Sequence, residues 1–219
     1  MKIGVFDSGV GGLSVAQAIE KALPECEVLF RNDAKHMPYG TKSPEELLGY
    51  VEPILWELAD EGCAAVVVAC NTVSTTLIGQ LRERLDMPLV AIEPMVKPAA
   101  ELTKTGVIAV CATPTTLKSP RYKELKELFA KGIKVVEPDC RSWSRMIEDK
   151  KVDHARVKDA VNDAMTLGAD VIVLGCTHYH WIEGDIKAIA AGRATVIQPT
   201  PAIIRQVKRV LSEKVPAKS

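Results

Sequence analysis

The chain of 219 residues carries no excess of either charge: lysine plus arginine and aspartate plus glutamate number 28 each. A balanced chain has no field to draw nucleic acid or an anionic membrane, so neither is expected as a partner. No apolar run approaches the ~20 residues of a membrane-spanning helix. No apolar leader with a small-residue cleavage site precedes the first strand pattern, Met1-Lys2-Ile3-Gly4-Val5-Phe6-Asp7. A cytoplasmic location is the expectation. The six cysteines, at positions 26, 63, 70, 111, 140 and 176, include no CxxC pair. Zinc-ribbon and thioredoxin-like readings lose their main support. In a reducing compartment these cysteines are free thiols by default, and the plain reading of any one is a small buried hydrophobe.

What is present is an alternation of short apolar runs with helical patterns. Strands are expected at 3–6, 28–30, 66–69, 89–92, 107–110, 134–136, 171–174 and 195–197. Val66-Val67-Val68-Ala69 and Val171-Ile172-Val173-Leu174 have no polar alternation, as in strands buried on both faces of a parallel sheet. Ser43-Pro44-Glu45-Glu46 is a helix start: an N-cap, a proline at the first helical position and early acids. Helical spacing runs over 74–85, 118–130, 153–167 and 202–213. The class is α/β with right-handed crossovers.

The chain repeats itself. Gly62 precedes Cys70 by eight residues across a buried strand, and Gly168 precedes Cys176 in the same way. Residues 4–9 are read as the counterpart of 106–111. Two similar parallel-sheet α/β domains follow, residues 1–94 with a C-terminal return over 198–219, and residues 95–197. A pseudo-twofold relation would set the active site in the cleft between them.

In open α/β sheets ligands bind beyond the carboxyl ends of strands. Cys70 and Cys176 each sit at such an end, before Asn71-Thr72-Val73-Ser74 and Thr177-His178-Tyr179. A helix N-terminus there favours thiolate and binds carboxylate. Two thiols on opposite sides suit removal of an amino acid's α-proton and its return to the other face, because a base works best with a pKa near the working pH. Asp7 and Ser8 end the first strand. Asp7 is read as orienting a substrate ammonium, assisting the cysteine, or capping a helix. Pro38-Tyr39-Gly40 is a loop after the second strand. His178 is read as a proton relay or thiolate partner, or as a histidine bonded to backbone. His178 and His180 form His-x-His, but no acid or cysteine at ligand spacing accompanies them, so no metal is expected.

Residues 6–14 (Phe6-Asp7-Ser8-Gly9-Val10-Gly11-Gly12-Leu13-Ser14), Pro38-Tyr39-Gly40, Ala69-Cys70-Asn71-Thr72 and Gly175-Cys176-Thr177-His178-Tyr179 together resemble the glutamate racemases of the aspartate/glutamate racemase superfamily. The resemblance implies a cofactor-independent isomerase that inverts glutamate with two thiols and supplies D-glutamate for peptidoglycan. By position it implies Cys70 and Cys176 as bases, with Asp7 and His178 assisting. Substrate contacts would come from Ser8, Tyr39, Gly40, Asn71, Thr72, Thr116 and Thr177, with Glu148 near the active site. It leaves room for a homodimer. The chain departs from the family pattern at His180, at Arg141-Ser142-Trp143-Ser144-Arg145 and at Gln198-Pro199, and is shorter than usual.

Two alternatives stand beside this reading. One is a related two-cysteine racemase for aspartate or another amino acid. The other is a non-catalytic amino-acid- or dinucleotide-binding module, suggested by Gly9-Val10-Gly11-Gly12 after a strand and Asp33 after the next.

Overall fold

The computed structural model describes residues 1–214. It divides into two compact units, residues 1–92 with the C-terminal helix from Thr200, and residues 93–199. Positions 215–219 of the expected return lie outside the described residues.

The first unit carries the strands β1 (Lys2–Asp7), β2 (Glu27–Asn32), β3 (Cys63–Val68) and β4 (Leu89–Ala91), all parallel, in the order β2-β1-β3-β4. Its helices are α1 (Leu13–Ala22), α2 (Pro44–Asp60), α3 (Asn71–Arg84) and the C-terminal α10 (Thr200–Lys214). The second unit carries β5 (Val107–Ala112), β6 (Lys134–Val136), β7 (Val171–Gly175) and β8 (Thr195–Ile197) in the equivalent parallel order, β6-β5-β7-β8. Its helices are α4 (Val96–Leu102), α5 (Pro114–Lys118), α6 (Pro120–Phe129), α7 (Trp143–Glu148), α8 (His154–Thr166) and α9 (Glu183–Ala190).

The unbroken apolar runs of β3 and β7 are buried on both faces. On β3, Val66 and Val68 pack with Leu47, Leu55 and Leu81 of α2 and α3, while Ala65 and Val67 join Ile19 of α1 and Val207 of α10. On β7, Ile172 and Leu174 face Val161, Ile186 and Trp143, while Val171 and Val173 face Ala99 and Tyr122. Each such valine or leucine contributes about 1.5–3 kcal/mol relative to exposure. Sandwiching a strand between two helical layers therefore fixes its end firmly.

Helix boundaries follow their caps. Ser43 accepts from the Glu46 amide at 3.2 Å, and Glu46 Oε2 accepts from the Ser43 amide at 2.9 Å, a complete capping box for α2. The single helix expected over 118–130 is broken at Ser119. Its hydroxyl caps the Tyr122 amide at 3.1 Å with Pro120 at the first helical position, so α6 starts afresh after α5. After Cys176 the chain makes a tight 3₁₀ turn over Thr177–Ile182 before α9, where a regular helix was expected.

Gly62 and Gly168, the glycines of the repeat, have φ of +81° and +100° and donate to Ala59 and Met165 carbonyls at 2.9 Å each. Both turn a helix into the strand that ends at a cysteine, a conformation that disfavours any side chain. The expected equivalence of 4–9 with 106–111 is corrected. Phe6 pairs with Val68, two residues before Cys70, and Cys111 pairs with Leu174, two residues before Cys176. Asp7 therefore corresponds to Ala112 and Ser8 to Thr113. The two glycines mislead because they do different work. Gly4 lies within β1, where an added Cβ would fall 2.7 Å from Val66 Cγ2, whereas Gly106 is a turn at φ +74°.

Candidate active site

In the first unit, β1 and β3 are neighbours and their carboxyl ends bring Asp7-Ser8 beside Ala69-Cys70, with the Ala69 amide donating to Phe6 O at 2.7 Å. Cys70 is buried, at 5% exposure, and its thiol donates to Ser8 Oγ at 3.4 Å. The Ser8 hydroxyl in turn donates to Asp7 Oδ1 at 3.2 Å. Thiol, hydroxyl and carboxylate thus form one directed chain. Asp7 is fully buried and also accepts the Gly9 amide at 3.2 Å. Gly12 leaves room for it: a Cβ there would lie 2.5 Å from Asp7 Cβ and 2.9 Å from Oδ2.

Cys70 is the N-cap of α3, so the amides of its first turn open at the sulfur's end of the strand. Asn71 and Thr72 follow, both buried. The Asn71 carbonyl accepts from Thr75 Oγ1 at 2.8 Å, while neither polar atom of its side-chain amide has a hydrogen-bond partner. A buried amide with donor and acceptor both open costs stability unless something polar meets it. Ser74, which the sequence did not single out, donates to Val68 O at 2.9 Å and accepts from the Ile92 amide at 3.2 Å, anchoring α3 to the ends of β3 and β4.

Tyr39 and Gly40 lie in a 3₁₀ turn, Tyr39–Thr41, after β2. The Tyr39 hydroxyl donates to Asp33 Oδ2 at 2.6 Å, and Asp33 Oδ1 lies 2.7 Å from His36 Nδ1. Burial, the Asp33 carboxylate and the nearby Cys70 and Asp7 hold the phenol far above its ordinary pKa, so it stays a neutral donor. Asp33, read above as part of a dinucleotide-binding module, is occupied here by Tyr39 and His36.

The second unit solves the same problem differently. Cys176, at 7% exposure, ends β7. Its sulfur lies 3.8 Å from His178 Nδ1 and 3.5 Å from Ser144 Oγ. His178 Nε2 lies 2.8 Å from Glu148 Oε2. No carboxylate stands at Ala112, where Asp7 has its counterpart. The acid comes instead from α7, acting through the imidazole. Thr177 is buried beside Cys176. Thr116 is fully buried in α5, and its hydroxyl meets that of Thr113, the α5 cap, at 3.0 Å. The register of Ala112 with Gly175 sets this threonine turn beside the cysteine's strand end. Tyr179 donates to Cys140 O at 3.0 Å and packs edge-on against Trp143, ring centroids 5.1 Å apart.

Ser144 was missed in the sequence. The one available signal was its spacing: it lies four residues before Glu148, hence on the same helix face. Among the described residues no group of three or more His, Cys, Asp or Glu side chains is placed to hold a metal ion. None of the described helices is long and apolar enough to cross a membrane.

Comparison with known proteins agrees with the two-sheet α/β fold. A family model described as Asp/Glu/Hydantoin racemase matches residues 3–207. A glutamate racemase of Deinococcus radiodurans is 38% identical over 218 residues, covering 97% of this chain and 75% of that protein. The crystal structure of Escherichia coli glutamate racemase in complex with L-glutamate and the activator UDP-MurNAc-Ala superposes with a TM-score of 0.90 at 31% identity, covering 99% of this chain and 84% of that one. The Francisella tularensis glutamate racemase in complex with D-glutamate gives a TM-score of 0.80 at 27% identity, covering 97% of this chain and 81% of that one. The chain belongs to the Asp/Glu/hydantoin racemase family.

Proposed function

We propose that this protein racemises glutamate without a cofactor, using Cys70 and Cys176 as a pair of acid/base groups on opposite faces of the α-carbon. The observation that carries the reading is the equivalence of the two thiols. Each ends the third strand of its own four-stranded sheet, and each has a serine hydroxyl within 3.5 Å. The relatives named glutamate racemase, and the two solved with L- and D-glutamate, support glutamate as the substrate.

In one direction the Cys176 thiolate takes the α-proton, and the electron pair left on carbon delocalises into the substrate carboxyl. Cys70 then gives its thiol proton to the other face. His178, backed by Glu148, balances the charge at Cys176. Ser8 and Asp7 reset Cys70 along their hydrogen-bonded chain. The open Asn71 amide and the first amides of α3 are suited to a substrate carboxylate. Supply of D-glutamate to peptidoglycan in the cytoplasm is part of this proposal.

The test is incubation with L- and, separately, D-glutamate in deuterated water, with no metal, pyridoxal phosphate or nicotinamide added. Both should converge on the racemate with deuterium at the α-carbon. No exchange with glutamate, alongside exchange with aspartate, would move the assignment to the related racemase. Exchange with neither would reject it.

A further inference from the structure

Cys176, His178, Glu148 and Ser144 close a ring, and only the first three follow from the family resemblance. α7 is six residues long and touches the site twice. Ser144, at its second position, meets Cys176 Sγ at 3.5 Å, and Glu148, one turn on, meets His178 Nε2 at 2.8 Å. His178 Nδ1 returns to the sulfur at 3.8 Å. One helix turn therefore grips both ends of the cysteine–histidine pair.

We propose that Ser144 is a positioning residue for Cys176, its hydroxyl donating to the thiolate and holding it toward the substrate. This rests on the two-thiol reading and adds to it the control of one base. The hydroxyl has a competing neighbour in the Tyr179 phenol. That phenol gives its own proton to Cys140 O at 3.0 Å and stays neutral, because burial lifts its pKa well above the ordinary value. A full negative charge on sulfur is the stronger acceptor for the Ser144 proton. The first unit has the same element, since Cys70 meets Ser8 Oγ at 3.4 Å. There, however, the Ser8 proton is directed to Asp7 at 3.2 Å, so that hydroxyl accepts from the thiol. Among the described residues no carboxylate bonds Ser144, so its hydroxyl is available as a donor to Cys176. The two serines therefore differ in where the hydroxyl proton can go: to Asp7 from Ser8, and to Cys176 from Ser144.

Steady-state rates in the two directions do not isolate this effect. L- and D-glutamate are equally stable, so kcat/KM is equal in both directions at every pH whatever Ser144 does. The two thiols are separated instead by alkylating the full-length protein with iodoacetamide across a pH series and mapping the labelled cysteines by peptide mass. Besides Ser144, the titratable groups around Cys176 are His178 and Tyr179 on its own turn, Cys140 and Glu148 at either end of the α7 segment, and Cys111 on β5. All are unchanged in Ser144→Ala. That variant should raise the pH midpoint of Cys176 labelling by about half a unit to one unit, a 3- to 10-fold loss of thiolate, with the Cys70 midpoint unmoved. Ser144→Thr, which keeps a hydroxyl, should restore the midpoint. An unmoved midpoint in the alanine variant, or a threonine variant that behaves like alanine, overturns the proposal. The readout needs no turnover. Inactivity of the wild-type protein would defeat the racemase reading and leave this measurement standing.

Discussion

His178 and Glu148, thirty positions apart in sequence, meet at 2.8 Å through Nε2 and Oε2, with the imidazole almost fully buried. A carboxylate on one nitrogen fixes the ring's tautomer and supports its charged form, and the other nitrogen faces Cys176 at 3.8 Å. Glu148→Gln keeps the size and removes the charge. Racemisation should fall by about 10- to 100-fold, less than the loss of a proton-transfer group itself, because Glu148 acts through the imidazole. Wild-type activity in that variant, measured by circular dichroism of glutamate at saturation, would remove Glu148 from the mechanism.

Cys70→Ser and Cys176→Ser should each lower racemisation by about 10²- to 10⁴-fold, because a neutral hydroxyl is a poor base. Each variant keeps one working thiol. With a substrate carrying a leaving group on the β-carbon, each should still catalyse elimination, from opposite enantiomers. By resemblance Cys70 handles the D-isomer and Cys176 the L-isomer. If both variants prefer the same enantiomer, the thiols do not work on opposite faces.

Much of this arrangement was legible because it rests on strong local signals. Val66–Ala69 and Val171–Leu174 could only be buried strands, and a glycine eight residues before each cysteine marked two copies of one unit. The candidate residues at strand ends, Asp7, Cys70, Cys176 and His178, were chosen from where parallel sheets bind ligands. What was hidden depends on pairing and on short elements. The true counterpart of Asp7 is Ala112, fixed by the register of β5 with β7 and invisible in a comparison anchored on glycines. α7 is too short to show a helical period, so the spacing of Ser144 from Glu148 was the one sign that joined it to the site.

Gly12 is predicted to be intolerant of a methyl group for a purely steric reason, as it needs no left-handed backbone (φ −65°). In Gly12→Ala the new Cβ would stand 2.5 Å from Asp7 Cβ, and Asp7 is fully buried. The expected cost is about 1–3 kcal/mol of stability from overpacking. Displacement of Asp7 should also break its bond with Ser8 and lower turnover by about 10-fold or more. A variant with unchanged urea midpoint and unchanged kcat would show that the Asp7 neighbourhood yields more easily than its packing suggests.

His180, which stands where the family usually has proline, gives the protein a pH-dependent stability. Burial, and then the neighbouring His178, lower its pKa to about 4 from an ordinary 6.5. The sign follows from the depressed value. Below pH 6.5 the unfolded chain takes up a proton that the folded chain refuses until about pH 4, so the unfolded state gains and stability falls across that window. Between pH 7 and pH 5 this one group should remove about 2 kcal/mol. His180→Gln deletes the titration while keeping a polar side chain of similar size. Urea unfolding of wild type and variant at both pH values separates this group from the carboxylates, whose contribution is common to the two proteins. Wild type should lose about 2 kcal/mol more than the variant on going to pH 5. Equal losses would mean that His180 accepts a proton in the folded state without penalty, and that its surroundings hold the charge despite their burial.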